Sequence, residues 1–159
     1  MDVNIICIGK LKDSWWRDAC AEYAKRLSAF CKFSIIELNE ARVAKSPTQG
    51  EIARVLEEEG ERILAKCRPG DHVIAMCIEG KLLSSEELAA DFASAAVSGK
   101  STINLIIGGS YGLSPAVKQR ADMRISMGRM TFPHQLARVM LSEQVYRAFA
   151  INSGSQYHK

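Results

Sequence analysis

The sequence predicts an α/β domain, a mostly parallel sheet flanked by helices. Three observations carry that expectation. Strand-like and helix-like segments alternate along the whole 159-residue chain. Two strand segments, residues 72–77 and 103–107, read as near-continuous apolar runs, as strands covered on both faces do. The second of these runs straight into glycines and then a helix start, in the stretch LIIGGSYGLSP.

Taken in order, the first strand is residues 3–8. It lacks a basic leader and a small-residue cleavage site, so it reads as structure and not as a signal peptide. A helix over 14–30 follows, then a strand at 33–38 and a polar stretch at 39–49, the best candidate for a mobile connection. Residues 48–67 form the second helix. Residues 84–97 form the third, opened by a Ser84/Glu87 capping box. Ser114-Pro115 starts a short fourth helix, an N-cap serine with proline at the first helical position. A weaker strand at 124–126 precedes the last helix, residues 134–151. Of these 18 residues 11 are apolar, a wider stripe than one-sided packing needs, so burial by the sheet and by a second copy of the chain is expected.

Size and composition fit one domain spanning 1–159, with 47% hydrophobic and 25% charged residues. No run approaches the length that spans a bilayer, and no membrane association is expected. The five cysteines form no C-x-x-C pair and are odd in number. They read as reduced core thiols of a cytoplasmic protein, without a structural metal. Charge is uneven. Residues 1–99 hold 13 Lys/Arg against 16 Asp/Glu, net −3, while residues 100–159 hold 8 against 2, net +6. A basic final third points to a polyanion at one end of the molecule.

In a parallel sheet the ligand belongs at the carboxyl ends of the strands, where the loops at 78–81, 108–112 and 128–134 gather. The P-loop pattern is absent, and the glycines are spaced G-G-x-x-G without the downstream acid of a dinucleotide site, which disfavours ATP and NAD. Taken alone, LIIGGSYGLSP is equally a tight turn needing glycine at positive φ. The stretch Met130-Thr131-Phe132-Pro133 is apolar and suits a nucleoside with a thioether or sulfonium. His134 and Arg138 lie one turn apart behind it. Tyr111 in its loop and Tyr157 in the tail are candidates for stacking on unpaired bases. Trp15-Trp16 reads at least in part as packing.

The segments IIGGSYGLSPAV, MTFPHQLARVMLSEQVYRAF and the terminal YHK, with VNIICIGKLKDSWW and IEGKLLSSEELA before them, resemble the bacterial RlmH family of SPOUT-class methyltransferases over the whole chain. That family methylates N3 of a pseudouridine in 23S ribosomal RNA. The resemblance implies a C-terminal trefoil knot within about residues 70–155, an S-adenosyl-L-methionine pocket and an obligate homodimer. It implies cofactor contacts at Met76, Gly108, Gly109, Met127, Gly128, Arg129, Met130, Thr131 and Phe132. Met76 stands where the family more often has leucine. Transfer from a sulfonium needs no metal; it needs N3 placed in line with the methyl–sulfur bond and a route for its proton. His134 and His158 are the candidate proton acceptors. Arg138 is the candidate for holding the uracil or RNA, with Tyr111, Tyr157 and His158 as further RNA contacts, and Arg147 reads as a surface or interface charge. The expected partner is 23S rRNA within the large subunit or ribosome, not DNA. A tRNA-directed relative and a non-catalytic ribosome-binding factor are the competing readings.

Overall fold

The computed structural model describes residues 1–158. In chain order the elements are β1 (Asp2–Ile8), α1 (Ser14–Leu27), β2 (Lys32–Leu38), α2 (Gln49–Leu64) and β3 (His72–Leu82). Then come α3 (Ser85–Val97), β4 (Thr102–Ile107), α4 (Pro115–Arg120), β5 (Met123–Ser126) and α5 (His134–Asn152). The five strands form one sheet in the order β2-β1-β4-β3-β5, every pair parallel. The alternation expected from the sequence is therefore the alternation found.

Successive side chains of a strand point to opposite faces, and this divides the core. Val3, Ile5, Ile103 and Leu105 pack with Leu27 of α1, Leu88 and Phe92 of α3, and Leu141, Val145 and Ala148 of α5. Ile6, Ile8, Val73, Ala75 and Ile106 pack with Ile63 of α2 and Val117 of α4 on the other face. Asn104 of β4 is polar and yet fully buried in this core. Its amide donates to Asp71 Oδ2 at 2.8 Å, and its carbonyl oxygen accepts from Asn4 Nδ2 at 2.9 Å, so the cost of burying it is offset.

Caps fix the helix starts. Ser84 and Glu87 make the expected capping box, and Ser114 Oγ accepts from the Val117 amide. A second box, Thr48 with Glu51, opens α2. The preceding stretch is not a loose connection: Glu59 accepts from the Ala41 amide at 3.0 Å, and Arg54 and Arg62 donate to the carbonyls of Arg42 and Asn39. Arginine and glutamate contacts of this kind cross more than ten residues and leave no trace in local composition.

β3 differs from its expected form. It continues to Leu82, and both Met76 and Lys81 register with Ile125 of β5, so residues 77–80 are extruded as a bulge inside a strand. Gly80 makes this possible: a Cβ there would lie 2.7 Å from the Ile125 amide nitrogen. The residues expected to be a loop after the third strand are thus a projection from its middle.

α5 packs against both α1 and α3 within the chain. Much of its apolar character is accounted for by these neighbours. Leu136, Val139 and Met140 remain half-exposed.

Candidate cofactor and catalytic site

The carboxyl ends of β3 and β5 open into a cavity of about 500 Å³. Its walls come from Met76, Leu82 and Leu83 of the β3 end, Ile125 to Met127 of β5, Leu88 of α3, and Val139, Met140 and Glu143 of α5. A smaller hollow of about 150 Å³ adjoins it through Met76, Ser126 and Met127, and is closed by Ile78, Gly128, Met130, Thr131 and Phe132. Ser126 Oγ pins the start of this loop, accepting from the Gly128 amide at 3.2 Å. Six of the nine expected cofactor residues, Met76, Met127, Gly128, Met130, Thr131 and Phe132, therefore line one continuous depression. Met130 is 75% exposed at its rim.

Gly108 and Gly109 do not line it. They close β4 immediately beside the Met76 end of β3, and their small size serves the protein's own packing. A Cβ on Gly108 would meet the Gly112 carbonyl, and one on Gly109 would lie 2.9 Å from Glu59 Oε2. The positive φ expected in this turn falls on Gly112, at +87°. Glu59 is 6% exposed beneath the turn, and burial pushes its carboxyl above the ordinary glutamate range. Arg129 is exposed and lines neither hollow.

The three residues expected to act on the substrate separate into two clusters. Arg138 is 1% exposed and points into the protein. Its Nη1 donates to Glu37 Oε2 at 2.8 Å and its Nη2 to the Gly9 carbonyl at 3.3 Å, while its Nε is buried with no partner among the described residues. Glu37 Oε2 also accepts from the Leu11 amide at 2.8 Å. This guanidinium thus ties α5 to β2 and to the β1–α1 turn. His134 sits one turn earlier, half-buried, with Cε1 3.7 Å from where a Cβ on Gly9 would be.

His158 lies in the other cluster. The C-terminal tail folds back on α5: the Tyr157 ring packs 4.8 Å from that of Tyr146, the Arg147 guanidinium sits 4.7 Å over it, and its hydroxyl donates to Glu143 Oε1 at 3.1 Å. Burial first, and then Glu143, push the Tyr157 hydroxyl above its ordinary range. Arg147 donates twice to Glu143 Oε1, at 2.6 and 2.9 Å. His158 joins both sides, with Nδ1 3.2 Å from Arg147 Nη1 and Nε2 2.7 Å from Glu86 Oε1. A neutral imidazole carrying its proton on Nε2 satisfies both contacts. The hydrogen bond from His158 holds the Glu86 carboxyl down at about 2. Lys159, the last residue of the expected tail, lies outside the described residues.

Glu143 and Arg147 escaped sequence reasoning as a site. Their signal was present: Glu143 is one of two acids in the basic final third, and it pairs at i,i+4 with an arginine on a mostly apolar helix. Tyr111 is 39% exposed on its turn. Among the described residues no group of three metal-binding side chains occurs, and no helix is long and apolar enough to cross a membrane.

A family model described as a predicted SPOUT methyltransferase matches residues 1–158. Proteins named ribosomal RNA large subunit methyltransferase H are similar over the full length of both chains: 51% identical in Levilactobacillus brevis, 52% in Lactiplantibacillus plantarum and 50% in Streptococcus thermophilus. With the whole chain matched and half its residues shared with such relatives, this protein belongs to the SPOUT methyltransferase family.

Proposed function

We propose that this protein is an S-adenosyl-L-methionine-dependent methyltransferase for N3 of a pseudouridine in 23S rRNA, acting in the cytoplasm as a homodimer on large subunits or ribosomes. The observation that carries the reading is the cavity beside Met76. It is lined largely by thioethers and aliphatic side chains, it adjoins the 127–132 loop, and it holds a carboxylate, Glu143, in its wall. The relatives' names supply the class of substrate.

The donor set fits the cofactor: Met76, Met127 and Phe132 offer apolar and polarisable surface for an adenosine and a sulfonium, and the 127–132 backbone offers hydrogen bonds. When bound, S-adenosylmethionine supplies an activated methyl group. The chain's own residues then have to orient the base and take the N3 proton. Among the described residues Glu143 Oε2 accepts only from Gln144 Nε2, at 2.7 Å, while Oε1 is saturated by Arg147 and Tyr157, and the residue lines the cavity. His158 Nδ1 is occupied by Arg147. Glu143 is therefore the proton acceptor in this reading; Tyr157 holds it directly, and His158 holds it through Arg147. Gly108 and Gly109 shape the neighbouring turn, and the C-terminal knot follows from family membership. The half-exposed Leu136, Val139 and Met140 of α5 are the surface for the second copy.

The test is methyl transfer from labelled S-adenosylmethionine to intact ribosomes, large subunits, free 23S rRNA and tRNA side by side. Methylated rRNA is then probed by reverse transcription, which a methyl on N3 arrests. Label on tRNA alone, or no calorimetric binding at millimolar cofactor, overturns the reading.

A further inference from the structure

Beyond the bulge of β3 lies a second, larger depression that the cofactor cavity does not use. It is an open groove of about 1170 Å³ between α4, the bulge and the start of β5, and Tyr111, Lys81, Lys118 and Arg124 are among its lining residues. The bulge is the partition: its residues Cys77 and Ile78 face the cofactor-side hollow, and Glu79 and Gly80 face the groove. The groove also holds two acids, and both are already neutralised. Glu79 Oε1 lies 2.5 Å from Lys118 Nζ, a contact that holds its carboxyl below the usual range. Asp122 Oδ2 accepts from the Val73 amide at 2.8 Å and from Arg120 at 3.3 Å. Lys81 and Arg124 are exposed and make no ion pair or side-chain hydrogen bond among the described residues. The groove thus presents two uncommitted cations and one exposed aromatic ring, next to the site where a base is to be modified.

We propose that this groove holds a single-stranded stretch of the substrate RNA, its phosphates against Lys81 and Arg124 and an unpaired base stacked on Tyr111. The proposal rests on the rRNA reading above and adds where the strand flanking the target base runs. An open groove lined by cations and an aromatic ring matches the way single strands are bound, by backbone charge and base stacking and not by groove readout. A base extruded into the Met76 cavity needs its neighbours held on the outside, and the bulge gives the strand a wall to turn across.

The experiment compares Lys81→Gln/Arg124→Gln with a control of equal charge change at the opposite edge of the sheet, Lys25→Gln/Lys32→Gln, just before and on β2. Binding of a fluorescent single-stranded oligouridine is titrated against salt, and methylation of large subunits is measured in parallel. Each phosphate contact on a single strand contributes about 0.7 to the log–log salt slope, so the groove pair flattens it by up to about 1.4. It also raises KM for subunits about tenfold, with cofactor affinity by calorimetry unchanged, and the control does neither. Tyr111→Ala weakens oligouridine binding about tenfold without changing the slope. A groove pair indistinguishable from the control overturns the proposal. So does a groove pair whose sedimentation shows an altered oligomeric state, since the groove is then a protein interface. The oligouridine arm needs no turnover: if wild type methylates no RNA, the function reading fails while this arm still decides the groove.

Discussion

Arg138→Ala separates two roles for a residue that the sequence places beside the substrate and the structure places in the interior. The guanidinium is 1% exposed and gives hydrogen bonds to Glu37 and to the Gly9 carbonyl, joining three segments distant in sequence. Removing one partner of a buried ion pair costs about 3–5 kcal/mol, because the other charge stays behind unpaired. Glu37 keeps its Leu11 bond and is 35% exposed, so water relieves part of that cost and about 3 kcal/mol is expected. For a chain of this size that lowers Tm by roughly 6–12 °C. Urea denaturation followed by tryptophan fluorescence measures it, and Arg138→Met/Glu37→Gln, which removes both charges and keeps the volume, recovers most of the loss. A cost under about 0.5 kcal/mol for Arg138→Ala, the range of a surface substitution, refutes the buried role and returns the side chain to RNA contact.

Gly80→Ala pushes a methyl into the backbone of Ile125, which cannot rotate away, so stability falls by about 1–3 kcal/mol and cofactor affinity by calorimetry falls with it. Unchanged affinity counts against the bulge as a wall of the site. Glu59 has its carboxyl raised by burial, so the sign of its pH effect is set: its contribution is full below the unfolded value of 4.5 and is lost as pH rises through the higher folded value. Glu59→Gln keeps the acceptor for Ala41 and abolishes that loss, so its stability advantage over wild type grows from pH 4.5 upward and then levels; parallel curves overturn this. Burial pushes the Cys7 thiol up to about 12 and Cys31 to about 11, so neither is alkylated by iodoacetamide in the native protein at pH 8, as peptide mass mapping will show.

The strands and helices were legible because each carries local signals: apolar runs at the strands, and Ser84/Glu87 and Ser114-Pro115 at helix starts. The expectation for residues 127–132 came by resemblance, and in the structure five of these six residues line one hollow with Met76. What local pattern does not encode is direction. Arg138 and His134 share a helix face behind the apolar loop, yet that face turns toward Glu37, 101 residues away in sequence. Gly108 and Gly109 signalled a close approach correctly, but to Gly112 and Glu59 of the same chain. The bulge in β3 was invisible because its residues read as an ordinary loop, and only the double registration on Ile125 reveals that the strand resumes.

The strand order has a consequence for how the chain comes to be folded. β1 can pair with β2 as soon as the first 38 residues exist, but β3 has both its neighbours, β4 and β5, later in the chain. An apolar strand is therefore left with two open edges until residues 102–126 have been made, and β1 keeps one edge open for as long, since Asp2 pairs with Thr102. Such late, long-range parallel pairing slows folding and exposes sticky edges meanwhile. Refolding yield should accordingly fall with protein concentration. A nascent chain halted just after β3 should engage chaperones, whereas one released after α5 should not.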